Sequence, residues 1–416
     1  MSLSRREFVK LTAAGALAGS AARTLLADEK KHQLPPVRTI TRGPKHHWFG
    51  YYDKLQFDPS GRYALGMEVD FEHRAPKPDD VIRIGMVDLQ DDDRWIELGE
   101  SSAWCWQQGC MLQWVPGSKT QILWNDRDSD RYICRIYDIA TGETRTIDHA
   151  IYALSPDGRS AIATDFRRLN DTRPGYGYVG LADPYADQLA PHDSGIWRID
   201  LHSGQSRLIV SLAEAVEFGK LSGEELKSKQ WFNHLLYNPD GSRVVFLHRC
   251  HPDGSRRRRT RMITATPEGK ELYTMDPSGY TSHFIWRDPE HVLAWSKPEG
   301  HPAGFYLFRD QSSQVEQIGA EVMTRDGHCS YLPGNQWILN DAYPDPDRLQ
   351  QVYLFEVASG KRIPLGGFFA PPEYRGPSRC DTHPRFTPDG RSVVIDAPQQ
   401  GAGRQMHLID IRSIVV

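Results

Sequence analysis

One short motif recurs along the chain, and it limits the fold more than any other feature. An apolar stretch runs into Pro-Asp-Gly or a near copy, and a second apolar stretch follows. The clearest copies are Phe57-Asp58-Pro59-Ser60-Gly61, Ser155-Pro156-Asp157-Gly158, Asn238-Pro239-Asp240-Gly241 and Thr387-Pro388-Asp389-Gly390. Weaker copies are Trp114-Val115-Pro116-Gly117, Trp286-Arg287-Asp288-Pro289 and Leu332-Pro333-Gly334-Asn335. Proline presets φ and glycine accepts positive φ, so each copy is a hairpin turn. A second unit, a short strand ending in a polar turn, alternates with the first at 84–89, 134–139, 196–201, 262–266, 305–308, 352–355 and 406–409. Seven units of each kind interleave without a break. The pattern predicts an all-β fold, a seven-bladed β-propeller with four-stranded antiparallel blades. Residues 37–40 supply the strand that closes the last blade onto the first, which removes the exposed sheet edges of an open array.

The repeat accounts for a length of 416 residues, which by itself points to two or three domains, and for 35 Gly and 28 Pro spread along the chain. The expected organisation is an export signal over 1–27, a linker over 28–36 and a single propeller domain over 37–416. The longest gap between turns, from Pro156 to Pro239, holds 167–189 and a polar helix-like piece, 211–229. Both read as insertions on one face of the ring, the alternative being a domain boundary there. Arg5-Arg6 before the mildly apolar residues 11–22 reads as a twin-arginine signal. It implies the twin-arginine translocation machinery as a partner and a periplasmic or extracellular location. No segment is long and apolar enough for a stable membrane span. Six cysteines permit disulfides in an exported chain, at a density too low for a disulfide framework. A net charge of −4 excludes a globally basic nucleic-acid binder. The basic run Arg256 to Arg259, with Arg261, reads as a solvated turn of an outer hairpin.

In a propeller, residues four to six positions before each first turn line the central channel. Those positions hold Tyr152, His234, His283, His328 and His383. Four imidazoles at one repeat position form either a metal site or a hydrogen-bonded polar plug. Cys380 stands three residues before His383, and positions three apart on a strand face opposite ways, so it joins them only if the strand entry is irregular. Pro384 allows that. The ligand set read from these positions is His283, His328, Cys380 and His383, and its imidazole and thiolate donors suit zinc, with manganese as the alternative divalent metal. Polar groups of the early blades (His47, Tyr52, Gln108 and Asn125) and the cations Arg167, Arg168, Arg173 and Arg249 complete a surface for an anionic ligand. Arg167 and Arg168 are read as ending the second strand of blade three, and Arg249 as ending the equivalent strand of blade four.

The histidine rim, His283 before Phe284 and Trp286, and Cys380-x-x-His383 before Phe386-Thr387-Pro388-Asp389-Gly390 resemble the propeller-type polysaccharide lyases, oligogalacturonate lyase above all. The resemblance implies a divalent metal held by a rim histidine and a Gln-x-x-His-x-His motif. Here Cys380 replaces the Gln and Arg385 the last His, which favours zinc over manganese. It also gives His234 the place of the catalytic histidine. A more distant similarity to ulvan lyases gives Tyr152 and Arg168 roles on a uronate. The expected activity is β-elimination in an acidic oligo- or polysaccharide. Arg168 would neutralise the carboxylate, His234 would take the C5 proton, and Tyr152 would serve as base or acid. The competing expectation is a non-catalytic Tol-type propeller that binds a protein or carbohydrate. A prolyl-peptidase-type hydrolase is excluded by length and by the lack of a Gly-x-Ser-x-Gly elbow.

Overall fold

Each proline-glycine turn folds one strand of a blade back on its neighbour. In the computed structural model, which describes residues 34–252 and 258–415, seven four-stranded antiparallel sheets follow one another in chain order. Blades one to six span 46–101, 113–147, 153–211, 231–279, 284–318 and 330–369. Blade seven takes Arg385–Phe386, Ser392–Gln399 and Gly403–Asp410, and its outermost strand is Val37–Thr39 from the other end of the domain. Val37 pairs with Ile409 and Thr39 with His407, so the ring is zipped shut as the sequence predicts. Pro36–Val416 forms one compact unit. The export-signal reading of 1–27 lies outside the described residues. No helix among the described residues is long and apolar enough to cross a membrane.

The strands bury apolar faces against the adjacent blades. Trp48, Trp104, Trp106, Trp114 and Trp124 form one such cluster with Met67 and Met406. The innermost strands are very short: Ala153–Leu154, Ser330–Tyr331 and Arg385–Phe386 have two residues each. Channel-facing residues therefore sit mostly at strand entries, where side chains are free of strict pleat alternation.

Both insertions of blade three carry short helices. Phe166–Thr172 is N-capped by Asp165, and Leu212–Phe218 opens with a reciprocal Ser211–Glu214 capping box. Arg167 and Arg168 thus lie on a helix and do not end a strand, which corrects the sequence reading. The six cysteines are all free and buried.

Candidate functional site

The repeat positions converge as expected. His234, His283, His328 and His383 come from four consecutive blades, and successive ring centroids lie 6.3, 4.3 and 4.3 Å apart. Tyr51 of blade one closes the circle, stacked on His234 at 5.0 Å and edge-on to His383 at 5.2 Å. All four imidazoles are buried. His234 and His383 both have positive φ, 52° and 38°, a conformation costly for a residue with a Cβ. At His234 the pairing register of its strand also shifts, between Asn233 and Leu236. These local distortions turn both side chains inward. Tyr52 also reaches the circle, 5.3 Å from the His328 ring, but its hydroxyl is spent on the backbone of Phe284.

Two of the imidazoles meet a carboxylate. Ligand atoms of His328, Asp381 and His383 all lie within 4.8 Å of one another. The Nε2 atoms of His328 and His383 are buried without a hydrogen-bond partner, an arrangement that is costly unless a ligand completes it. His328 Nδ1 faces both oxygens of Asp341 at 3.0 Å, which fixes the ring and leaves Nε2 as the free donor. Gly327 permits this approach, because a Cβ there would lie 1.9 Å from the Asp341 carbonyl oxygen. Two imidazoles and a carboxylate fit a divalent cation. His283, the third predicted ligand, directs Nδ1 to Asp326 at 2.8 Å and stands beside the cluster. Cys380 is not part of it. Its neighbour Asp381 takes the position, and burial pushes the Cys380 thiol far up. The strand entry is irregular, as the cysteine reading required, but the irregularity presents the aspartate.

The side facing blades three and four is cationic. Arg249 is buried, donates from Nε to Thr260, and leaves one terminal nitrogen without a partner. Arg173 and Arg258 stand beside it, and none of the three has a carboxylate partner among the described residues. Burial, with Arg173 and Arg258 close by, pushes the Arg249 pKa well down; burial and Arg173 bring Arg258 down to about 10. Arg249 is fully buried, and Arg173 and Arg258 are half-buried. Cations withdrawn from water are normally paired, so three without a carboxylate partner among the described residues form a place suited to an anion. Arg258 belongs to the run that the sequence presents as a solvated turn; it is half-buried, while Arg259 beside it is exposed. Burial, then the charges of Arg249 and Arg173, also hold His234 well below the ordinary histidine range. Its imidazole is neutral at pH 7.

Tyr176, from the first insertion, lies between these two halves. Arg379 donates to its hydroxyl at 2.7 Å and also holds Asp381 at 2.7 Å. Arg173 covers its ring at 3.7 Å, and the ring meets His234 edge-on at 5.8 Å. Burial alone would raise the phenol's pKa, but Arg173 and Arg379 outweigh it and bring it down to about 8.

Other sequence candidates are occupied elsewhere. Tyr152 receives Gln108 Nε2 at 2.7 Å and the His234 backbone N–H at 3.1 Å, and it donates to Asn233; it orients His234 and has no free valence for a substrate. Gln108 also faces His234 Nδ1 at 3.5 Å. Asn125 is saturated by Ile151 and Tyr178. His47 is held between Glu68 of its own blade and Gln405 of blade seven. Arg167 forks onto Asp165. Arg168 is fully buried, paired with Asp183 at 3.0 Å and bonded to the carbonyls of Gln230, Tyr185, Gln188 and Leu189. It ties the insertion to blade four and cannot reach a substrate. Arg168→Ala therefore destabilises the fold by about 3–5 kcal/mol, the cost of breaking a buried pair. Denaturant unfolding reads this as a lowered midpoint, while protein that remains folded keeps its metal affinity.

Comparison with known proteins places this geometry in context. No family model and no curated protein matches the chain. Among solved structures, an oligogalacturonate lyase in complex with manganese matches at TM-score 0.65 and 16% identity, covering 91% of this chain and 93% of its own. An oligogalacturonate lyase from Vibrio parahaemolyticus matches at TM-score 0.65 and 15% identity, over 92% and 94%. The propeller domain of the Trilobed protease from Pyrococcus furiosus reaches 0.51 at 12% identity, over 87% and 96%. The likeness extends over the whole ring, and at these identities it is a likeness of fold.

Proposed function

We propose that the protein is an exported lyase that cleaves a uronate-containing oligosaccharide by β-elimination at the channel mouth. The observation that carries this reading is the juxtaposition of a neutral buried histidine, three arginines without a carboxylate partner among the described residues, and a cluster of candidate metal ligands. The lyase-type solved structures support it, one of them being manganese-bound by its own description. The arginines take the role first given to Arg168. Arg249, Arg173 and Arg258 hold the uronate carboxylate and carry the charge that builds on it as C5 loses its proton. His234 accepts that proton. The C5–H electron pair forms the C4–C5 double bond, and the C4–O bond breaks. Tyr176, not Tyr152, gives its proton to the departing oxygen. Both groups return to their resting states by exchange with water.

His328, Asp381 and His383 would hold the divalent metal, which when bound adds positive charge beside the carboxylate. With Cys380 outside the set, the thiolate argument for zinc falls away, and two imidazoles with one carboxylate serve manganese or zinc. Arg379 positions both Asp381 and Tyr176. Export is read from residues 1–27, and delivery by the twin-arginine machinery would bring a folded, metal-loaded ring to its substrate outside the cytoplasm.

The direct test follows ultraviolet absorbance of unsaturated uronate when metal-loaded protein meets oligogalacturonates and other uronate oligomers. A rise supports the reading, and no rise on any of them overturns it. The pH profile adds a sharper test. An acid catalyst must keep its proton, so the rate falls as pH rises through about 8, the Tyr176 value. Tyr176→Phe lowers kcat by about a hundredfold or more and removes that alkaline limb. A limb that persists in the variant assigns the acid to another group.

A further inference from the structure

We propose that the cleft running outward over blades four and five is an arm of the substrate site, which takes the sugar units of an acidic oligosaccharide beyond the one at the arginines. The identity of the sugar rests on the lyase reading; the existence of the arm does not. The cleft is continuous with the centre, because Arg173 and Arg258 line both, and so does Asp326, the partner of His283. Its volume is about 1070 Å³. Pockets for drug-sized ligands run to about 1,000 Å³, so one sugar ring leaves most of this cleft unfilled.

Its walls have the chemistry of an acidic sugar chain. Tyr280 lines the cleft with a ring 45% exposed, one of few large apolar side chains open to solvent. The backbone sets it there: Gly279 has φ +82°, and Tyr280 pairs in parallel with Thr260. A phenol ring presents an apolar face to the C–H side of a hexose and a polar edge to its hydroxyls. Lys297 lines the same cleft and has no carboxylate partner among the described residues, so it is available to a second uronate carboxylate. The other charges are accounted for. Arg259 pairs with Glu225 at 2.9 Å and Asp326 with His283, and Glu299 and His301 also line the cleft. The lining thus joins cations to an aromatic face in one cleft, the two kinds of group that a chain of sugar rings and carboxylates requires.

The test compares di-, tri- and tetragalacturonate on the metal-loaded full chain, by kcat/KM and by calorimetric binding. Wild type gains about five- to tenfold in kcat/KM and affinity from di- to tetramer. Tyr280→Ala and Lys297→Gln lose that gain while the dimer values stay within about twofold. Both side chains are on the surface, and thermal unfolding checks that both variants fold. Turnover with no dependence on length in wild type overturns the arm and leaves the lyase intact. Equal losses at every length in the variants overturn it too. Length-dependent binding without turnover, abolished in the variants, upholds the arm and removes the lyase. No binding of any oligomer removes both.

Discussion

His234→Asn abolishes the proton transfer and leaves the ring folded. The expected loss in kcat is about 10²–10⁴-fold, the range for removing a general base, with KM for a uronate dimer little changed because the arginines that bind the carboxylate remain. Asparagine is the informative replacement. The backbone at His234 has φ 52°, which asparagine tolerates better than alanine does. An alanine variant would mix lost chemistry with backbone strain. The wild-type acid limb carries independent information. Burial, Arg249 and Arg173 all disfavour the imidazolium, so the base stays unprotonated as pH falls through the ordinary histidine range. The rate therefore holds well below pH 6.5 and falls only at more acid pH. Folding follows the same sign. In the unfolded chain this histidine takes up a proton near its usual pKa, in the native ring only further down, so stability is full above about pH 6.5 and declines below it. A rate that falls at pH 6.5 itself, or a kcat that survives in His234→Asn, places the base elsewhere.

Asp381→Asn and His383→Asn purify without the stoichiometric divalent metal that wild type retains, and elimination drops by about two orders of magnitude or more. Elemental analysis of the purified proteins and titration of the chelated protein with manganese and zinc measure this. Asn is isosteric with the aspartate at 381, and at 383 it suits the positive φ of the histidine it replaces. Cys380→Ser retains the metal, since the thiol stands outside the donor set. Asp341→Asn gives an intermediate result, about 10–100-fold weaker affinity, because Asp341 sets which nitrogen of His328 is free. Full metal content in Asp381→Asn, or loss in Cys380→Ser, would return the site to the cysteine-containing set. These outcomes also separate the lyase from a binding-only propeller, which has no need of the cluster.

The ring was legible because its grammar is local. A turn such as Asn238-Pro239-Asp240-Gly241 declares two strands within a few residues, and seven copies fix the blade count. The channel histidines were legible for the same reason, since His234, His283, His328 and His383 keep one offset from their turns. What escaped were groups with no repeat offset. Tyr176 comes from an insertion, of which only Arg173 was read as a cation for the site, and Arg258 from a hairpin whose composition resembles a solvated tip. Nothing in their sequence surroundings says that these side chains gather beside His234. Asp381 was missed for a different reason: strand alternation was applied to Cys380-Asp381-Thr382-His383, where the backbone has not yet entered the strand. One signal was present and unused. Asp341 and Asp396 each stand eight residues after a turn proline, Pro333 and Pro388. The first orients His328, and the second pairs with Arg385.

The three residues Val37–Thr39 also govern the order of assembly. Their partners Ile409, Leu408 and His407 lie at the far end of the domain, so this pairing is among the least local contacts in the molecule. Blades one to six are each contiguous and can form from nearby chain, whereas the seventh waits for both ends to meet. The delay costs little free energy, since closure entropy grows only logarithmically with loop length, but it costs time. Until the ends meet, Gly403–Asp410 offers an unpaired strand edge to any other chain. A newly made ring therefore passes through an adhesive open form, and the short strand Val37–Thr39 sets how long that form lasts.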